Sequence, residues 1–196
     1  MRPMRPIILL LLTVVLLSGC SVFGESGVEI APYKVLVKED NYELRHYDRL
    51  VLATTAMDAD NQRRNPFGKL FDYISGDNSQ AQKIPMTAPV FMEQNEVSSE
   101  NMSFVLPTNM SLQEAPLPTD PTVALEALDD YTVATITFSG RLKQENIQRH
   151  QALLETWIKS KAFTVIGPAK AAGYNPPFTI PSLRRNEILI PVEKPE

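Results

Sequence analysis

The side chains best suited to bind a metal in this chain are its two histidines, His46 and His150. A neutral imidazole is a common metal ligand. On a strand, His46 would share a face with Tyr42 and Leu44, which favours an apolar environment for its ring. The alternative is an edge-strand histidine that is hydrogen-bonded or in water. His150 falls on the margin of a helical apolar stripe, where both packing and metal ligation remain open.

The only cysteine, Cys20, closes an N-terminal pattern that is typical of a bacterial lipoprotein signal. Arg2 and Arg5 precede an eleven-residue run, 7–17, that is apolar except for Thr13. A membrane span needs about 20 apolar residues, so this shorter run predicts a signal peptide. We expect cleavage before Cys20 and acylation of its thiol and amine. An ordinary secretory signal with a chance cysteine is the alternative.

Acylation of Cys20 would leave the chain no thiol for a disulfide, a nucleophile or a metal site. The predicted organisation is a signal peptide over 1–19, a lipid-anchored tether over 20–31 and one domain over 32–196. Ser21 follows the cysteine, which by resemblance to Gram-negative lipoproteins favours the outer membrane, with the domain facing the periplasm. Several acyl chains would anchor the protein stably, each buried CH₂ contributing about 0.8 kcal/mol.

Charge and motif content narrow the classes of function. The chain has 19 basic and 23 acidic residues, and removal of Arg2 and Arg5 leaves a net charge of −6. An acidic surface argues against nucleic acid as a partner and supplies no polybasic membrane patch. The sequence contains no Gly-x-Ser-x-Gly, His-Glu-x-x-His, phosphate-loop or Cys-x-x-Cys-His motif. These absences favour a binding protein over an enzyme.

A helix is predicted after residue 65, with capping residues at both of its ends. Asn65 suits the N-cap, Pro66 the first helical position, and Gly76 a left-handed stop. Its apolar residues recur at helical spacing and form one wide stripe: Phe67, Leu70, Phe71 and Ile74. The segment 83–90, KIPMTAPV, follows, and its two prolines exclude a helix and confine any strand to an edge or a bulge.

Strands are predicted on both sides of this helix. In the first half they cover 33–37, 42–47 and 50–57, with a turn at Asp40-Asn41. In the second half, 123–128 and 131–139 are predicted to form a hairpin around Asp129-Asp130, followed by a helix over about 144–161. Similar segments recur at offsets of 81 to 84 residues, which indicates two copies of one βαββ unit; chance similarity of short apolar runs is the alternative. The pattern predicts an antiparallel α+β fold.

Four segments of the chain resemble one known family, the SOUL family of haem-binding proteins. They are the helix with KIPMTAPV (67–90), YELRHY (42–47), AGYNPP (172–177) and RRNEI (184–188). The resemblance covers roughly 33–193 and departs mainly over 94–122. It implies a curved antiparallel eight-stranded sheet or distorted barrel carrying two helices, similar also to the GyrI-like effector-binding fold.

The resemblance also implies a ligand, haem or another tetrapyrrole, held noncovalently between the first helix and the curved sheet. Phe67 and Phe71 are then candidates to contact the porphyrin face, with Tyr42 as a further pocket candidate. Packing in the core is the alternative for the two phenylalanines. Arg64 falls where tetrapyrrole-binding relatives place an arginine, and its planar fork suits a haem carboxylate.

Two positions bear on how the haem would be held. His46 stands where some family members carry a histidine proposed as the axial iron ligand, although several relatives lack it. Asp72 stands where some relatives carry lysine, and its carboxylate would repel an anionic ligand.

We therefore expect a membrane-anchored, SOUL-like lipoprotein that binds haem or another tetrapyrrole for buffering, scavenging or transfer. One alternative is a SOUL-fold module that binds another apolar small molecule or a protein partner. The other is a GyrI-like small-molecule hydrolase, for which Glu43, Tyr73 and Tyr174 are available, although the sequence does not bring them together.

Overall fold

Ten strands and two helices make up the computed structural model, which describes residues 27–57, 65–94 and 99–193. The helices are α1 (Pro66–Ser75) and α2 (Gln144–Ser160), and a short 3₁₀ helix covers Pro181–Leu183. The strands are β1 (Glu29–Ile30), β2 (Lys34–Glu39), β3 (Tyr42–Ala56), β4 (Thr87–Ala88), β5 (Val90–Gln94), β6 (Ser99–Val105), β7 (Val123–Phe138), β8 (Thr164–Val165), β9 (Lys170–Gly173) and β10 (Asn186–Glu193). The predicted signal peptide, Cys20 and Arg64 lie outside the described residues.

Six of the strands close into a barrel in the order β3-β6-β5-β9-β10-β7, and β7 pairs back onto β3. Strands β2 and β8 extend this sheet at β3 and β10, which gives eight antiparallel strands. The order is unchanged when β3, β6 and β5 are exchanged for β7, β10 and β9, as two copies of one unit require. The predicted α+β distorted barrel with two helices is confirmed.

The two longest strands differ from the prediction. β3 has 15 residues and β7 has 16, and they pair continuously from Tyr42 opposite Ile136 to Thr55 opposite Val123. The predicted hairpin at Asp129-Asp130 is therefore wrong. Asp130 adopts a left-handed φ of 50° inside β7, and an aspartate tolerates this conformation as a local kink without reversing the chain. The predicted turn at Asp40-Asn41 does join β2 to β3.

Helix α1 has the predicted ends and packs on the outside of the barrel. The Asn65 side chain accepts a hydrogen bond from the Gly68 N–H at 2.6 Å, and Gly76 ends the helix with a φ of 118°. Only glycine adopts such a φ without strain. The buried face of α1 joins one apolar cluster with β3 and β6: Leu70, Tyr73, Ile74, Val51, Ala53 and Phe104.

Helix α2 covers another part of the outer barrel surface. Its buried residues Ile147, Leu154, Trp157 and Ile158 pack against outward-facing residues of β3, β7 and β10, which are Leu44, Ala134, Ile136, Ile188 and Ile190. The alternate residues of these strands point into the barrel, since side chains alternate across a strand. The interior is filled by aromatic and aliphatic side chains that include Tyr47, Leu52, Phe91, Val133, Tyr174 and Leu189.

Candidate functional site

The predicted stripe of α1 is divided between a buried and an exposed part. Leu70 and Ile74 are buried, whereas Phe67 and Phe71 are 43% and 49% exposed. The two phenylalanine rings stack with a centroid distance of 6.2 Å and an interplanar angle of 13°. Phe67 also meets Phe104 edge-on at 5.1 Å, which fixes the pair to the barrel. The first helix thus presents two nearly parallel aromatic rings to solvent.

The space beneath α1 is occupied by the protein's own side chains. Leu70 is fully buried against the barrel, and the Tyr73 hydroxyl donates to the Pro116 carbonyl at 3.0 Å. Burial raises the pKa of Tyr73 to about 12, so its hydroxyl stays a neutral donor at physiological pH. A flat ligand on α1 would therefore meet the outer aromatic rings rather than a slot between the helix and the sheet.

His46 lies on the outer side of β3 with both ring nitrogens close to polar partners. Nδ1 is 3.0 Å from Thr132 Oγ1, and Nε2 is 3.3 Å from Asp48 Oδ1 and 3.9 Å from Asp130 Oδ1. Its side chain is 23% exposed. A ring held in this way would have to exchange its Asp48 contact for a metal.

Two open cavities, of about 390 Å³ and 690 Å³, meet at His46, and Phe67 and Phe71 line neither of them. The larger cavity has apolar walls, including Leu36 and Ile166, but its rim carries three carboxylates from Asp129, Asp130 and Glu193. The amine of Lys170 in the same wall is paired with Glu93 at 3.1 Å. The structure thus separates the histidine candidate from the aromatic candidates.

The remaining candidates from the sequence are scattered. The Tyr42 ring stacks on Trp157 of α2 at 5.5 Å, so it belongs to the α2 face rather than to the exposed face of α1. The His150 ring stacks on Phe138 at 3.9 Å, and its Nδ1 lies 2.7 Å from the Asn146 carbonyl, which makes it a packing residue. Among the described residues, no cluster of three or more histidine, cysteine or acidic side chains has the arrangement of a metal site.

A charged network lies inside the barrel and joins residues of β3, of β10 and of the segment between β9 and β10. The fully buried Glu187 accepts hydrogen bonds from two Arg45 nitrogens at 2.6 and 3.0 Å. It also accepts from Arg185 at 2.7 Å and from the Tyr174 hydroxyl at 2.8 Å. Arg45 in turn donates to Glu43 at 2.6 Å. The alternation of YELRHY puts positions 43 and 45 on one face, and the RRNEI segment predicts that Arg185 and Glu187 tie the last strand to the fold, which their hydrogen bond confirms.

This network fixes the charge of its members. Burial favours the neutral form of Glu187, but the hydrogen bonds and charges of Arg45 and Arg185 outweigh it and lower its pKa. Burial, together with the Glu187 carboxylate, raises the pKa of Tyr174. Each buried charge has a partner of opposite sign, as a buried ion pair requires. Glu43 and Tyr174 are thus engaged in holding the barrel together, and Tyr73 belongs to α1.

Comparison with solved structures identifies the fold. The C-terminal domain of EcmrR matches with a TM-score of 0.55 at 12% identity, over 83% of this chain and 99% of that domain. A hydrolase from Listeria innocua matches with a TM-score of 0.56 at 7% identity, over 81% of this chain and 94% of that protein. At such low identity the likeness concerns the fold alone.

Sequence comparison identifies the family. Heme-binding protein 1 of Mus musculus is 30% identical over 181 residues, which span 86% of this chain and 94% of the relative. Heme-binding protein 2 of Homo sapiens is 28% identical over 176 residues, 85% of this chain and 84% of the relative. The family model for the SOUL heme-binding protein matches residues 28–191. This protein therefore belongs to the SOUL heme-binding protein family.

Proposed function

We propose that this protein binds haem or another tetrapyrrole noncovalently on the exposed aromatic face of α1. The observation that carries the proposal is the pair of nearly parallel rings of Phe67 and Phe71, both about half exposed on a rigid helix. Large exposed apolar side chains that lie side by side mark binding surfaces. The names of the relatives, heme-binding protein 1 and 2, support the same class of ligand.

The described residues suit the flat, apolar part of such a ligand. A porphyrin offers a broad conjugated plane, and aromatic side chains contact such planes by offset or edge-to-face stacking. Met102 and Leu125 pack against the apolar cluster that contains Phe104, the residue that Phe67 contacts. The carboxylates of haem need a cation, for which Arg64 stays the predicted residue.

His46 is less well placed to bind the haem iron than Phe67 and Phe71 are to contact the porphyrin plane. Its two nitrogens are near Thr132 and Asp48, and the cavities that it lines do not include Phe67 or Phe71. The proposed binding mode therefore needs no ligation by His46. Haem held through its plane alone is exchangeable, which suits buffering, scavenging or transfer.

The proposal places this binding domain on a membrane through an acylated Cys20, in the cell envelope of a Gram-negative bacterium. No helix among the described residues is long and apolar enough to cross a bilayer. Binding without chemistry is favoured over hydrolysis because Glu43 and Tyr174 are tied into the buried network and Tyr73 lies on α1.

Hemin titration of the chain without residues 1–20, which keeps every described residue, tests the binding proposal. We expect a saturable change of the Soret band with one site per chain. The Phe67→Ala/Phe71→Ala variant should bind about tenfold or more weakly, because two stacking surfaces are lost. Phe178→Ala is the matched control, since Phe178 is also exposed but lies in the segment between β9 and β10.

Three results contradict the proposal. One is a hemin spectrum identical to that with an unrelated acidic protein. Another is equal weakening by Phe178→Ala, which would mean that hemin adheres to any exposed apolar residue. The third is turnover of an electrophilic small molecule that is lost on substitution of Glu43 or Tyr174, which would favour a hydrolase.

A further inference from the structure

A second exposed apolar feature lies far along the chain from α1, in the loop 176–183 between β9 and β10. Three large side chains of this loop are exposed: Phe178 by 87%, Ile180 by 62% and Leu183 by 61%. We call these three residues the apolar tip. Single exposed apolar residues are common on protein surfaces, whereas a cluster marks an interaction site.

The loop that carries the apolar tip is held in place. Its hydrogen bonds join Thr179 N to Pro176 O (3.0 Å), Leu183 N to Ile180 O (2.9 Å), Arg184 Nε to Thr179 O (2.8 Å) and Gly140 N to Pro181 O (2.8 Å). The exposed side chains are thus presented by an ordered backbone, and little chain entropy is lost when they are buried by a partner.

Basic side chains follow Gly140, the residue that is hydrogen-bonded to Pro181 of the loop. Arg141, Lys143 and Arg149, here called the basic rim, are exposed around a shallow depression that begins one residue after Gly140. Glu145 is the one carboxylate in the lining of that depression. The rim is therefore locally positive although the whole chain has a net charge of −4. Apolar side chains beside basic ones match the acyl chains and anionic headgroups of a phospholipid surface.

The first described residues lie at the same end of the barrel as this loop. Arg185, just after the loop, donates to the Tyr33 hydroxyl at 3.1 Å. Val28 packs in the same cluster as Tyr174, which lies just before the loop. Gly27, where the described chain begins, is seven positions after Cys20, and an extended chain spans at most about 25 Å over seven positions. An acyl group on Cys20 would hold this end of the barrel near a bilayer.

We propose that the apolar tip inserts into the interface of a phospholipid bilayer while the basic rim contacts anionic headgroups. This second contact, which rests on the proposed acylation of Cys20, fixes the orientation of the domain on the membrane. The tip enters between acyl chains, and the rim stays at headgroup depth. The haem-binding face on α1 is not used for this contact.

An environment-sensitive fluorophore on a Ser182→Cys variant tests this orientation. Ser182 is exposed within the loop, so labelling there leaves the apolar tip intact. The full chain is reconstituted into vesicles of phosphatidylethanolamine and phosphatidylglycerol. We expect the emission to shift to shorter wavelength and to be quenched by lipid-borne quenchers. The same label at Lys159→Cys is the matched control, because Lys159 lies 15 positions after the first residue of α2, Gln144, and therefore about 22 Å along the helix from the end nearest the loop.

Two variants separate the contributions of tip and rim. Replacement of all three tip residues by serine should reduce the quenching at position 182 by about tenfold or more, because the buried apolar area is lost. Glutamate at the three rim positions should weaken the contact with anionic vesicles and leave that with phosphatidylcholine vesicles unchanged.

Equal quenching at positions 182 and 159, or none at either, overturns the proposal. So does a spectral shift at position 182 that grows with protein concentration in the absence of lipid, because it would assign the tip to a second copy of the chain. These readouts do not involve hemin, so their failure leaves the haem proposal standing, and a failed hemin titration leaves the membrane contact standing.

Discussion

The barrel interior and the outer face of α1 reverse the usual distribution of side chains. Inside the barrel, Arg45 and Glu187 are almost fully buried and make charged hydrogen bonds to each other. On α1, Phe67 and Phe71 are about half exposed. A buried charge and an exposed aromatic cluster are both informative exceptions. The first concerns how the barrel is held together, and the second concerns what the surface binds.

The two helices sharpen this comparison because they occupy equivalent places in the two halves. Trp157 of α2 stacks on Tyr42 at 5.5 Å and donates to Glu39 at 2.9 Å. The aromatic surface of α2 is thus largely covered by the chain itself. The phenylalanine pair of α1 has no equivalent cover among the described residues. This asymmetry between related halves supports the proposal that the ligand binds to the first half.

Glu187→Gln should have the largest effect on stability. The substitution leaves Arg45 buried without its principal counter-charge, and breaking a buried pair in this way costs about 3–5 kcal/mol. Urea unfolding followed by circular dichroism measures the loss. Removal of an exposed ion pair by Arg49→Ala is the control, and it should cost about 1 kcal/mol or less. Equal losses for both variants would show that the interior network is not what distinguishes the barrel.

Leu70→Ala and Phe71→Ala test whether two neighbouring residues of α1 serve different purposes, packing for Leu70 and ligand binding for Phe71. Leu70 is fully buried, so its truncation should destabilise the protein by about 2–5 kcal/mol. Phe71 is about half exposed, so its truncation should cost less than about 1 kcal/mol and instead weaken hemin binding. Urea unfolding measures the expected loss of stability, and hemin titration measures the expected loss of affinity, in both variants. A Phe71→Ala variant with lower stability and normal affinity would assign the ring to packing.

Acid should weaken the barrel through Glu187. Because the folded-state pKa of this carboxyl is lowered by Arg45 and Arg185 despite burial, its contribution is present above the ordinary glutamate pKa of about 4.3 and is lost as the pH falls below it. The urea midpoint of the wild type should therefore drop over this range. Glu187→Gln should show a shallower drop. Parallel curves for the two proteins would mean that other carboxylates, such as Glu93, control acid stability.

The sequence predicted the parts of the fold that depend on local chemistry. Asn65, Pro66 and Gly76 define the ends of α1, and the apolar spacing defines its buried face. The hairpin at Asp129-Asp130 failed because the same residue type that favours a turn also tolerates a left-handed kink inside a strand. The choice between them is made by β3, which pairs with β7 on both sides of the kink.

The candidate site was predictable to a smaller extent. Phe67 and Phe71 were placed on one stripe with Leu70 and Ile74. The spacing of apolar residues does not show which part of such a stripe the barrel covers, so the exposure of the two phenylalanines could not be predicted. Arg45 and Glu187 are 142 positions apart in the sequence, so no local sequence pattern predicts that they pair. Tyr42 and His46 were assigned to one face of β3 correctly, yet that face is turned toward α2 and toward two cavities, the larger of them with an acidic rim, rather than toward α1.

His46→Ala should have the smallest effect of these substitutions. It removes a contact with Thr132, which is worth about 1 kcal/mol of stability, and it should change the dissociation constant for hemin by less than about twofold. Hemin titration with the Soret spectrum recorded at saturation is the measurement. A tenfold weaker complex with an altered Soret position would mean that the imidazole leaves Asp48 to bind iron. In that event the ligand would lie on the β3 surface instead of on α1, and the exposed phenylalanines would need another partner.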